Sequence, residues 1–326
     1  MSNAKKNWVW FILIMLLILG TGLYLGNSRR TELGKSFDYS LDDYRKVDPA
    51  LIRYKELDPI VPAISNLTAL ALAPENWIYD GGQVVVVGGE KQVQLLPDGV
   101  VLEFGETPSC LAVGDDGFLY AGFRDHIKVF DPEADWTHTR WEVPGGKVHL
   151  TSIAVDEWYV YAADAGSRRI WRYRKEGGEP LEIGKKDWAK GIRGFFIPSP
   201  FFDIAISRSD GSLWAVNPGH HALENYRPDG MPLSVWEASS MRIDGFSGCC
   251  NPAHFALMPD GAFVTAEKGL PRVKIHNQDG ELRCVVAAPD QFDDGVTGLD
   301  VAADDSGRIY VLDPDRGAVR IFEEKK

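Results

Sequence analysis

From residue 67 onward, short apolar runs alternate with polar turns, and the alternation itself repeats. Each unit opens on an apolar strand of the form "L-A-V" and passes through Asp-Gly or an equivalent turn. It continues into a strand rich in aromatic and β-branched residues. A polar loop, a third strand ending in "x-V-x-x-F/Y", a second turn and a last short strand complete it. The copies lie at 67–104, 107–143, 149–183, 199–238, 249–287 and 295–326. Four short strands per unit, recurring at roughly 40–45 residues, mark a β-propeller blade. Six copies predict an all-β, six-bladed ring. The sixth copy stops after its third strand, "AVRIF". That would leave an unpaired sheet edge, which folded proteins avoid. The segment 51–57, "LIRYKEL", has strand character and no other partner. It is expected to supply the outermost strand of blade six and close the ring.

One stretch breaks the alternation. An uncharged apolar run extends from Asn7 to Ser28, close to the ~20 residues a helix needs to span a bilayer. Trp8, Trp10 and Tyr24 sit toward its ends, where aromatic rings favour the headgroup region. The run is long for a cleaved signal peptide, and neither an A-x-A site nor a cysteine follows it. Residues 1–28 are therefore read as a single-pass transmembrane signal anchor. Residues 29–50 form a stalk and 51–326 the propeller. Lys5 and Lys6 flank the run on one side and Arg29 and Arg30 on the other, and the short lysine-bearing tail is expected to stay in the cytoplasm with the propeller outside it, periplasmic or extracellular.

The runs "FDIAISRSDGSLWAVNPGHHALENYRPDG", "NPAHFALMPDGAFVTAEKGLPRVKIHNQDG" and "GLDVAADDSGRIYVLDPDRGAVRIF" carry a further pattern. A small hydrophobic strand, Asp-Gly, a second strand, an Asp/Asn loop, R-[IV] and an aromatic follow one another. In this the chain resembles the NHL-repeat propellers over about residues 62–326. The resemblance implies the six-bladed fold. It is less specific for function, since such propellers include partner-binding scaffolds, sensors and a few metalloenzymes.

Composition narrows the partners. A net charge of −12 excludes nucleic acid, whose phosphates need a basic face. Two sets of positions converge by the symmetry of a propeller. The first precedes each innermost strand: Ala69, Cys110, Ser152, Asp203, His254 and Gly298. Here an aspartate beside a histidine, Asp203 and His254, is a candidate base or part of a metal site. The second opens the loop after each second strand: Asp164, Asn217, Glu267 and Asp313, with Gly88 in unit one. A half-ring of oxygen ligands there suits Ca²⁺; by resemblance, lactonase-type propellers place such ligands near the axis. Asp and Asn also start loops because they bond nearby backbone N–H groups. Glu267 caps turns poorly and is the exception.

The stretch "GFSGCCNPAH" adds Cys249, Cys250 and Asn251 beside His254, and "EKGLPRVKI" adds Lys268 and Arg272. Together with Glu267 they define a candidate binding rim for a protein partner or a small anionic ligand. Cys249 and Cys250 are a candidate vicinal disulfide or redox pair, with unpaired thiols and a metal site as the alternatives. No cofactor is demanded; Ca²⁺ and Zn²⁺ are the candidates. The expected function is a membrane-anchored binding or scaffold module acting through this rim. The alternatives are a metal-dependent hydrolase or lyase, and an accessory protein of envelope redox chemistry.

Overall fold

In the computed structural model the described residues are Trp8, 14–21 and 42–326 apart from 76 and 79–82. The anchor expected at 1–28 lies outside them except for Trp8 and 14–21, which are helical. Among the described residues no helix is long and apolar enough to cross a membrane.

Six four-stranded antiparallel sheets form the propeller. Their innermost strands are Ala69–Leu72, Cys110–Val113, Leu150–Val155, Ile204–Ile206, His254–Leu257 and Asp300–Ala303. Strands from neighbouring blades pack side by side around a central channel. An alanine recurs in each: Ala71, Ala112, Ala154, Ala205, Ala256 and Ala302. Small residues are needed where six strands crowd one axis. The second strands, such as Val85–Gly89 and Phe263–Glu267, are buried along their length. The turns between first and second strands follow from Asp chemistry. Asp116, Asp156, Asp210 and Asp260 each accept the backbone N–H two residues ahead, at 2.7–3.2 Å.

The fourth strand of blade six is Tyr54–Glu56, paired antiparallel with Ala318–Glu324. Chain ends more than 250 residues apart therefore share one sheet. Tyr54 is buried in the core between blades five and six. Beside it, Glu56 clamps Arg320 through two contacts, of 2.6 and 2.8 Å.

Candidate functional site

The channel has two chemically different ends. One end is a cavity of about 340 Å³ walled mostly by apolar side chains, Val113, Ile206 and Met258 among them. The other is a chamber of about 120 Å³ bounded by Cys110, Ser152, Asp203, His254 and Asp300. These polar residues share one cause. Each stands two positions before the alanine that recurs in its strand, so the repeat aims all of them at the same end of the axis. In blade six the residue in this phase is Asp300. The expectation of Gly298 is off by two positions, and the carboxylate it missed is central to the site.

Asp203, His254 and Asp300 form the chamber's charged cluster. Among the described residues they are the one group of three His, Cys, Asp or Glu donors close enough to share an ion, with ligand atoms within 4.8 Å of one another. His254 Nδ1 lies 3.6 Å from Asp203 Oδ2 and 3.4 Å from Asp300 Oδ1. Backbone groups lock both carboxylates. Asp203 accepts from Ile204 N at 2.9 Å and Phe255 N at 2.8 Å. Asp300 accepts from Val301 N at 2.9 Å and Leu70 N at 3.0 Å. Each carboxylate thus bonds its own strand and a neighbouring blade, which fixes its direction. Phe201 covers the imidazole edge-on, with ring centroids 5.7 Å apart.

Burial pushes the Asp300 carboxyl up to about 6, and the Asp203 charge adds to this against the pull of His254. Burial alone would lower His254, but contact with Asp203 and the charge of Asp300 hold it above the ordinary imidazole value. Burial likewise drives the Cys110 thiol up to about 12, with Asp203 and Asp300 contributing, so it stays a neutral thiol. Its sulfur fits only because residue 122 is glycine: a Cβ there would sit 2.4 Å from Cys110 Sγ.

The second set of positions does not converge on the axis. Asp164 accepts the backbone N–H of His149 at 2.8 Å and of Gly166 at 3.0 Å. Asn217 accepts from Phe196 N at 2.8 Å and donates to Glu224 at 2.7 Å. Asp313 faces Arg320 at 3.3 Å. Glu267 turns into its own blade, 2.6 Å from Arg272 and 2.8 Å from Lys274, with all three side chains fully buried. The Ca²⁺ half-ring is therefore not assembled, because each oxygen is spent on its own loop or blade. For the same reason Glu267 and Arg272 do not present on the rim. Lys274, two residues beyond Arg272 on the same strand, completes this buried cluster.

Cys249, Cys250, Asn251 and Lys268 do lie together, in one loop cluster. Cys249 is exposed and Cys250 buried, and both are free thiols with Sγ atoms 3.2 Å apart. Asn251 is an internal clamp that donates to Ser247 O at 2.8 Å and Lys268 O at 3.0 Å and accepts from Lys268 N at 3.0 Å. The apolar connection 194–202 mostly packs inward through Phe195, Ile197 and Phe202, leaving Phe196 exposed.

No family model matches the chain, and no curated protein does. Solved structures share its architecture. A gluconolactonase from Xanthomonas campestris superposes with a TM-score of 0.61 at 14% identity, covering 86% of this chain and 94% of that one. A streptogramin B lyase gives 0.59 at 12% identity, covering 85% and 100%. A structural-genomics protein from Bacteroides thetaiotaomicron gives 0.59 at 15%, covering 82% and 72%. At these identities the likeness establishes the propeller fold alone.

Proposed function

We propose that the chain is an NHL-type propeller enzyme, a metal-dependent hydrolase or lyase whose active site is the polar chamber of the channel. The spacing of Asp203, His254 and Asp300 carries this reading. In a base–carboxylate pair, one oxygen sits at hydrogen-bond distance from Nδ1, roughly 2.7–3.0 Å. Here two carboxylates flank Nδ1 at 3.4 and 3.6 Å. Ligands of a tetrahedral ion, each ~2.0–2.1 Å from it, stand about 3.4 Å apart. An imidazole with two carboxylates suits Zn²⁺ or a similar first-row divalent ion better than Ca²⁺, which takes oxygen ligands. Such an ion polarises a carbonyl or acidifies a bound water. The chamber admits only a reactive group, so the body of a small polar substrate lies at the rim. A lyase and a gluconolactonase among the fold neighbours are consistent with this class and do not select within it.

The test is cation uptake by the full chain after chelation, using Zn²⁺, Mn²⁺ and Ca²⁺ alone. One equivalent of Zn²⁺ should bind and raise the melting temperature. His254→Ala and Asp300→Asn should each weaken it about a hundredfold, in line with losses seen when metal sites are disturbed. Uptake by His254→Ala at wild-type affinity, or none by the wild type, refutes the reading.

A second reading, a binding module working through the rim, is favoured by exposed Phe196 lying 6.0 Å from the His220 ring, an aromatic contact open to a partner. It predicts capture of a ligand that survives chelation. Under either reading we propose that residues 1–28 anchor the chain and hold the propeller outside the cytoplasm. Release of the intact chain from membranes by alkaline carbonate would contradict this.

A further inference from the structure

Two of the four cysteines differ sharply from the others. Cys110 and Cys284 are buried in the core, and burial drives their thiols up, to about 12 and about 11. Cys249 and Cys250 stand in one loop among polar groups. Cys249 is open to solvent, while Cys250 is 4% exposed and lies beneath it, its sulfur 3.2 Å away. Lys268 and Ser199 both act to lower the Cys250 thiol. They are joined to each other, Lys268 Nζ donating to Ser199 Oγ at 2.9 Å. The Asn251 clamp binds the cysteine loop to the backbone of Lys268, which keeps this lysine beside that loop. Lys268 Nζ also rests 4.9 Å from the Phe201 ring, which covers His254. Lys268 and Phe201 thus link the thiol loop to His254.

We propose that Cys249 and Cys250 form a thiol–disulfide exchange site whose substrate is a small or peptide disulfide. The exposed Cys249, giving up its proton as it reacts, attacks one sulfur of the incoming disulfide. A mixed disulfide forms and the first thiolate leaves. Cys250, beneath it, then attacks the Cys249 sulfur as a thiolate and expels the second thiolate. The protein loses two electrons and two protons as a Cys249–Cys250 disulfide forms, and the substrate is reduced to two thiols. Burial alone would raise Cys250, but contacts with Lys268 and Ser199 outweigh it and hold this thiol below its ordinary value. Cys249 is raised, chiefly by its contact with Cys250. Exposure makes Cys249 the group an incoming disulfide can meet, and the buried, lowered thiol of Cys250 beneath it is the resolving group.

The full chain is treated with oxidised glutathione at neutral pH, and the tryptic peptide 243–268 is weighed. In the wild type this peptide should lose two hydrogens and carry no lasting adduct. Cys250→Ser should trap glutathione on Cys249. Cys249→Ser should leave Cys250 unmodified over the same time, because it is covered. Lys268→Met, read on the longer peptide 243–272, should resolve its adduct about tenfold more slowly, since a lost cation leaves less thiolate. Unmodified Cys110 and Cys284 confirm that each variant is folded. Glutathione resting separately on both loop cysteines of the wild type overturns the proposal. So does reaction of Cys249→Ser at the wild-type rate, or a wild-type peptide that does not react. None of these readouts involves a metal ion, so the exchange site and the channel site stand or fall separately.

Discussion

Glu267→Ala should lower the stability of the propeller by about 3–5 kcal/mol, the range for breaking a buried ion pair from one side. Glu267, Arg272 and Lys274 have no exposed side-chain surface. One carboxylate serves two cations. Arg272 bonds it through Nε at 2.6 Å and Nη2 at 3.1 Å, and Lys274 lies at 2.8 Å. Ser247 donates to it as well, through N at 2.8 Å and Oγ at 3.0 Å. The excess positive charge faces backbone carbonyls of the loop above. Arg272 reaches Met241 O, Arg242 O and Gly245 O, and Lys274 reaches Ile243 O. Without Glu267, two buried cations remain with only carbonyl dipoles to meet them.

Lys274 gives this prediction a pH signature. Burial pushes it down to about 8 from an ordinary value of 10.5, with the Arg272 charge helping and Glu267 opposing. The fold therefore binds this proton less tightly than the unfolded chain does. The penalty is fully present below about pH 8 and is relieved as pH rises toward 10.5. Removing Glu267 takes away the group that keeps Lys274 charged. The difference between variant and wild type in urea unfolding should then be larger at pH 7 than at pH 9. A loss under about 1 kcal/mol at pH 7 would mean the cluster is solvated rather than buried. Variant protein that still folds should keep its Zn²⁺ affinity, which separates this carboxylate from the channel site.

The contrast between Glu267 and Asp300 shows what can be read from the chain. Blade number and strand order are local: each Asp-Gly turn and each apolar run is decided within a few residues, and repetition multiplies the signal. Glu267 departed from the Asp/Asn pattern, and that departure is real. Its cause lies in Lys274, on the adjoining strand, where a longer acid reaches two cations that an aspartate would not. The channel cluster draws on residues 203, 254 and 300, about fifty positions apart, and only the phase of the repeat relates them. Counting back from the start of the apolar run lands on Gly298. Aligning on the alanines Ala205, Ala256 and Ala302 lands on Asp300, because strand crowding at the axis fixes the small residue more firmly than the strand's first residue. The free thiols of Cys249 and Cys250 were visible as a pair, but their unequal burial and the nearness of Lys268 depend on the loop's folded path.

Ring closure should fail first when Arg320 is replaced by methionine. Arg320 is 2% exposed and lies where the closing strand meets the body of blade six. Its guanidinium binds Glu56 of the closing strand at 2.6 and 2.8 Å, Asp313 at 3.3 Å and Gln291 O at 2.9 Å. It also lies over the rings of Phe292 and Phe322, at 4.8 and 5.4 Å. Methionine retains much of the apolar volume, but leaves Asp313, 1% exposed, without its main cation. The expected cost is again about 3–5 kcal/mol, and its distribution identifies the role. Tyr54–Glu56 contributes only three residues to the sheet, and backbone bonds of Arg53, Leu57 and Ile60 to the neighbouring strands extend that hold, so this clamp and Tyr54 packing work beside a short ladder. Hydrogen exchange should accelerate strongly at 54–56 and along Ala318–Glu324. Blade three, on the far side of the ring, should keep its protection, because local opening needs less free energy than global unfolding. Uniform loss of protection around the ring would show that Arg320 supports the whole fold rather than the latch. Unchanged exchange at 54–56 would show that Tyr54 packing and the flanking backbone bonds hold the strand without the clamp.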